Sequence, residues 1–173
     1  PHKGLPTLLR AFARVAHTEP GLRLLLAGAE VPGYLDDEFA GEPQELRARV
    51  AFTGPLRQPA LKAVYAGAVA FVCPSQYEGF GLPVLEAMTL GVPVVCADAA
   101  SLPEVVGDAA LMFPSGDTEA LVKSLSRVLH DSGLREGLSR AGLERAAGFT
   151  WELTAAATVA AYEEAVTCSR PPC

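Results

Sequence analysis

The sequence predicts a doubly wound α/β domain with a mostly parallel sheet, and three observations predict it. Short continuous apolar runs, LRLLLAG (22–28), AVAFVCP (68–74) and PVVCAD (93–98), read as strands buried on both faces. Between them lie segments whose apolar residues recur at helical spacing, and this alternation is what a parallel sheet covered by helices on each side produces. Half of the 173 residues are apolar, enough for one substantial core and hence one domain.

The elements follow in order. Leu5, Leu8, Leu9, Phe12, Val15 and Ala16 mark a first helix, which Glu19 to Gly21 (EPG) ends. The strand Leu22 to Gly28 comes next, then a loop with one polar helix before Val50, and a second short strand in VAFTG (50–54). A helix from Pro59 to Ala66 leads to the strand AVAFVCP, a helix from Pro83 to Leu90 and the strand PVVCAD. A short strand in AALMF (109–113) precedes three helices: one with the stripe Leu121, Leu125, Val128 and Leu129, one from Leu134 to Ala147, and an Ala-rich one from Trp151 to Val166. Residues 1–167 form the domain, and 168–173 read as a frayed tail.

A helix standing first is unusual in such a domain, where the first strand lies near the middle of the sheet. Three arrangements accommodate it: a gap between LRLLLAG and AVAFVCP, direct pairing of those strands, or a first strand upstream of this chain. The chain opens at PHKGLPTLL without an initiator Met and reads as the interior of a longer protein.

A net charge of −6 and a pI near 5.1 argue against a nucleic-acid binder, which would cluster Lys and Arg. Any anionic ligand must therefore be met locally. Cys73 and Cys96 sit in apolar runs and read as buried free thiols, whereas Cys168 and Cys173 match no metal-site spacing and leave a disulfide open. Asp36 to Glu38 (DDE) read as a solvated face, and His17 and His130 as exposed residues at helix ends. No apolar run approaches the roughly 20 residues that span a bilayer, so the domain reads as soluble, with a cytoplasmic location as the default.

Chemistry concentrates in PSQYEGFGLPVLEAM, residues 74–88. The turn EGFG follows the carboxyl end of a strand, where open α/β sheets place their ligands, and Pro83 suits the first helical position because no N–H donor is needed there. The N–H groups of Gly79, Phe80, Gly81 and Leu82 then point outward at a helix N-terminus, an arrangement suited to a phosphate or diphosphate. Glu78 and Glu86 bracket this anion site, and an ionised carboxylate accepts paired hydrogen bonds from a vicinal diol. Glu86 can reach a ribose and Glu78 a sugar beyond the diphosphate. The plainer alternative makes Glu78 a solvated turn residue and Glu86 a complement to the helix dipole.

The stretch resembles the signature of retaining glycosyltransferase family 4, in which two glutamates separated by seven residues surround a GFGLPVLEAM core. PHKGLPTLLRAF, VAFTGPL, YAGAVAFVCPS, GVPVVCAD, SLPEVVGDAALMF and FTWELTAAA resemble the family's other blocks in the same order. The resemblance implies the C-terminal, donor-binding half of a GT-B fold, a Rossmann-like domain that faces an N-terminal acceptor domain across a cleft. It implies that a nucleotide-diphosphate sugar is the donor substrate and that a hexose moves to an acceptor with retained configuration. Lys3 matches the diphosphate lysine, Glu78 the carboxylate near the transferred sugar, Gly79 to Leu82 the backbone cradle, Glu86 the ribose ligand, and Leu56 to Gln58 the base contact. The arginine common a few residues before that lysine is absent, His2 stands just before Lys3, and Gln58 and Pro59 stand where an acidic residue is common.

In that mechanism Lys3 and the helix N-terminus stabilise charge on the leaving phosphate, so neither a metal nor another cofactor is required. Glu78 orients the sugar rather than attacking it, and Arg57 reads as a surface charge. The isolated domain is expected to bind donor weakly and transfer nothing, and any membrane contact of the whole protein would lie outside it. Rival readings are a non-catalytic nucleotide-sugar module and a sugar-nucleotide epimerase of similar architecture. A nicotinamide-dependent dehydrogenase would need a G-x-G-x-x-G turn after its first strand, and no such turn is present. Glu104 in SLPEVVG reads as a structural residue that caps the turn that follows.

Overall fold

A computed structural model describes residues 3–30, 33, 35 and 38–168. Among them the chain order is α1 (Leu5–Ala16), β1 (Leu24–Leu26), α2 (Gln44–Arg47), β2 (Val50–Phe52), α3 (Gln58–Ala66) and β3 (Phe71–Cys73). There follow α4 (Leu82–Thr89), β4 (Val94–Asp98), α5 (Leu102–Val106), β5 (Leu111–Pro114), α6 (Thr118–His130), α7 (Ser132–Ala147) and α8 (Trp151–Cys168). The fold is the Rossmann-like α/β class that the alternating pattern predicts.

Among the described residues every strand pair is parallel. β3, β4 and β5 form one sheet in that order, with Phe71 opposite Val94 and Val95 opposite Leu111. β1 and β2 form a second, with Leu24 opposite Val50 and a single further bridge from Gly28 to Gly54. LRLLLAG and AVAFVCP do not pair directly, so that one of the three arrangements is set aside.

The core has two parts because β4 is covered on both faces. Val95 and Ala97 join Phe12, Leu26, Val50, Phe113 and Leu121 on the side of α1 and α6. Val94 and Cys96 join Val84, Met88, Leu102 and Val106 on the side of α4 and α5. Asp117 and Asp131 cap α6 and α7 by accepting hydrogen bonds from the N–H groups of Ala120 and Leu134, at 2.9 and 2.8 Å.

Two expectations change. Leu25 is 54% exposed, so β1 is not buried on both faces: Leu24 and Leu26 pack on the core while the opposite side carries no covering helix among the described residues. Residues 102–106 form a short helix rather than a turn, and Glu104 lies inside it, where its carbonyl accepts a hydrogen bond from Arg145 Nη2 at 2.6 Å. The last helix forms as expected, at Trp151–Cys168, and every described side chain on it is exposed, Trp151 at 81%.

Cys73 and Cys96 are free and buried, on facing positions of β3 and β4. His17 and His130 are exposed and lie 3.1 and 3.2 Å from the carboxylates of Glu42 and Glu19. The pair Cys168 and Cys173, residues 36 and 37 of the acidic run, and His2 fall outside the described residues or side chains. Among the described residues no helix is long and apolar enough to cross a membrane.

Candidate functional site

The segment 74–81 leaves the carboxyl end of β3 and feeds α4, with Pro74, Ser75 and Gly81 buried and Gly79 and Phe80 exposed. Gly81 makes the turn possible. Its φ of 102° is a conformation that side chains resist, and a β-carbon there would stand 2.9 Å from Leu102 Cδ2. Gly79 differs, for its φ lies outside that region and a β-carbon would meet nothing within 4 Å. The fold therefore demands glycine at 81 and permits other residues at 79.

Among the described residues, the N–H groups of Gly79, Phe80, Gly81 and Leu82 have no protein acceptor. Pro83 has no N–H, and the next two amides, of Val84 and Leu85, already donate to the Gly81 carbonyl at 2.9 and 3.3 Å. Donors are thus collected on the bend itself, at the positive end of α4. Phe80 packs edge-on against Phe149, with ring centroids 5.9 Å apart.

Lys3 reaches this bend from the other end of the chain. Gly4 sets it there: φ is 65°, and a β-carbon would come within 1.9 Å of the Pro74 carbonyl oxygen, so the start of α1 lies directly against the exit of β3. Lys3 Nζ donates to Glu78 Oε1 at 2.8 Å, the lysine side chain being 58% exposed and the carboxylate 15%. The backbone of Glu78 is held as well, because Ser101 Oγ donates to its carbonyl at 2.9 Å. Ser101 follows Ala100, whose φ of 50° is left-handed, at the carboxyl end of β4.

Glu86 lies one turn into α4, half-buried, and its Oε2 is 3.3 Å from the hydroxyl of Tyr65 on α3. Burial and the neighbouring Glu86 carboxylate push the Tyr65 phenol well above its ordinary range, so it keeps its proton at neutral pH. Below the bend, burial raises the Cys73 thiol and takes that of Cys96 up to about 12. Both thiols are inert side chains of the core.

The structure thus gathers Lys3, Glu78, the backbone from Gly79 to Leu82, and Glu86 at the carboxyl edge of β3. Leu56, half-buried, and the exposed Arg57 and Gln58 lie at the start of α3, and no hydrogen bond or ion pair joins their side chains to the bend among the described residues. Sequence reasoning missed Tyr65, Ser101 and Gly4. Tyr65 stood in an apolar helical stripe, and nothing in the spacing marked its hydroxyl.

The family model for "Glycosyl transferases group 1" matches residues 1–145. The chain belongs to the group 1 glycosyltransferases. It is 38% identical over 165 residues to O-antigen chain mannosyltransferase B of Escherichia coli, covering 94% of this chain and 43% of that protein. It is 32% identical to the solved sucrose-phosphate synthase of Thermosynechococcus elongatus, with a TM-score of 0.78 over 97% of this chain and 43% of that one. The C-terminal domain of the group 1 protein LpcC from Francisella tularensis shares the fold, with a TM-score of 0.74 at 24% identity over 85% of this chain and 79% of that domain. As a group 1 glycosyltransferase domain with GT-B neighbours, the chain has the architecture of a GT-B C-terminal half, and it spans less than half the length of the mannosyltransferase.

Proposed function

We propose that the bend from Glu78 to Glu86 is the donor site of a retaining hexosyltransferase, and that its substrate is a nucleotide-diphosphate sugar. One observation carries this reading: four consecutive backbone positions whose N–H groups have no acceptor among the described residues lie between two carboxylates, with a lysine within reach. The diphosphate takes the amides of Gly79, Phe80, Gly81 and Leu82, the ribose takes Glu86, the transferred sugar takes Glu78, and main chain near Leu56 meets the base.

Lys3 serves both halves of this arrangement. An ammonium has three donors, so Lys3 can keep its contact with Glu78 and still donate to a phosphate oxygen. As the bond from sugar to phosphate breaks, negative charge grows on the leaving diphosphate, and Lys3 with the fixed amides stabilises it without reorganising. Glu78 orients the sugar whose ring becomes positive. The acceptor is held by an N-terminal domain outside this chain, so the isolated domain binds donor weakly and transfers nothing.

The test is sugar transfer by the full-length protein carrying Glu78→Gln. The expected result is a fall of about 100-fold or more in kcat/KM, with binding of the sugar-free nucleoside diphosphate changed by less than about threefold. Unchanged transfer would remove Glu78 from the site. Robust transfer by residues 1–173 alone would overturn the division of labour between two domains.

A further inference from the structure

Tyr65 lies on α3, 21 positions before Glu86, and belongs to no glycine-rich turn. Its ring is core, 8% exposed and edge-on to Phe71 with centroids 5.3 Å apart. Its hydroxyl leaves that core and stands 3.3 Å from both the Pro83 carbonyl oxygen and Glu86 Oε2. A phenol has one proton to donate, so the carboxylate and the carbonyl share it. Both acceptors belong to α4, the Pro83 carbonyl in its first turn and Glu86 one turn in, which fixes the hydroxyl relative to the bend. Among the described residues Tyr65 is the one side chain hydrogen-bonded to the Glu86 carboxylate.

A glutamate at the start of a helix has three side-chain torsions and samples many directions in water. A hydrogen bond from a buried donor to one oxygen removes most of that freedom and leaves the other oxygen available. We infer that Tyr65 is a positioning residue for donor recognition: by holding Glu86 Oε2 it turns Oε1 toward the ribose diol, and it thereby sets the preference for ribose over deoxyribose. This rests on the assignment of Glu86 to the ribose. Tyr65 touches neither the donor nor the reacting atoms in this arrangement.

The experiment is calorimetric titration of the full-length protein with UDP, GDP and ADP, the tightest binder then being compared with its 2′-deoxy and 3′-deoxy forms. Wild type is expected to prefer the ribonucleotide by about 10-fold or more, the ratio a hydrogen bond to a charged group supports. Tyr65→Phe keeps the ring and its packing, and it should reduce that preference to about threefold or less while leaving the melting temperature within a few degrees. Glu86→Gln should abolish the preference, and adding Tyr65→Phe to it should change nothing further.

If Tyr65→Phe weakens ribo- and deoxyribonucleotide equally, or leaves the ratio at its wild-type value while Glu86→Gln lowers it, Tyr65 is only a core residue and the inference fails. If Glu86→Gln leaves the ratio unchanged, the ribose assignment beneath it fails. If none of the three diphosphates binds, the donor-site reading itself fails.

Discussion

The two glycines of the bend separate a demand of the fold from a demand of a ligand, and alanine at each should tell them apart. At Gly81 the φ of 102° costs an alanine about 1–2 kcal/mol. Its methyl would stand 2.9 Å from Leu102 Cδ2, and Leu102 is fully buried, so repacking adds roughly 1–3 kcal/mol. After allowing for the smaller entropy of the unfolded alanine chain, about 0.4–1 kcal/mol, Gly81→Ala should destabilise by roughly 1–5 kcal/mol. At Gly79 no atom lies within 4 Å of the added methyl and φ is not left-handed. Gly79→Ala should therefore be neutral, or stabilising by up to about 1 kcal/mol. If a diphosphate approaches this backbone closely, the same methyl obstructs it, and nucleotide affinity should fall by about 10-fold or more. Urea unfolding followed by far-ultraviolet circular dichroism gives the stabilities, and calorimetric titration gives the affinities. Equal destabilisation by the two variants would refute the structural distinction, and wild-type affinity in Gly79→Ala would refute the close approach.

Further expectations follow from the same geometry. Gly4→Ala would place a methyl 1.9 Å from the Pro74 carbonyl oxygen, a backbone atom that no rotamer change can move. It should lower the melting temperature by roughly 4–8 °C, the equivalent of about 2 kcal/mol in a chain of this size, and a wild-type melting temperature would contradict the contact. In a Cys168→Ser, Cys173→Ser background, Cys73 and Cys96 should resist a thiol reagent at pH 8 until denaturant is added, because the Cys96 thiol is raised to about 12. Rapid labelling of the native protein would contradict their burial. The raised Cys96 and Tyr65 groups also set an alkaline limit. The unfolded chain loses these protons near pH 9–10 while the native state keeps them, so stability is full below about pH 9 and falls above it. Each group contributes a slope of up to about 1.4 kcal/mol per pH unit. A stability constant from pH 8 to 11 would contradict this.

How far the sequence could be read depended on whether a feature lies along the chain or across it. The run Val94–Asp98 was legible as a strand buried on both faces, and Val94 and Cys96 do pack on one side with Val95 and Ala97 on the other. LRLLLAG has the same apolar continuity, yet Leu25 is exposed, because the pattern cannot show whether a helix covers the second face. The helix Leu102–Val106 was hidden by Pro103 and by its length of five residues, which is too short for a periodic signal. Trp151 to Val166 read as a helix from its alanines, but exposure along its length is a tertiary fact. At the bend, the spacing of Glu78, Gly79, Gly81 and Glu86 was visible because it is local. The hydroxyls of Tyr65 and Ser101 meet that bend from other elements, across 21 and 23 positions, and no linear pattern records them.

The most direct measurement is a crystal structure of the full-length protein with a nucleotide-diphosphate sugar bound. Phosphate oxygens should accept hydrogen bonds from the N–H groups of Gly79, Phe80, Gly81 and Leu82 and from Lys3, a ribose hydroxyl should donate to Glu86, and a sugar hydroxyl should donate to Glu78. A donor seated away from the bend, or lying on it with both its sugar and its ribose out of reach of these carboxylates, would contradict it.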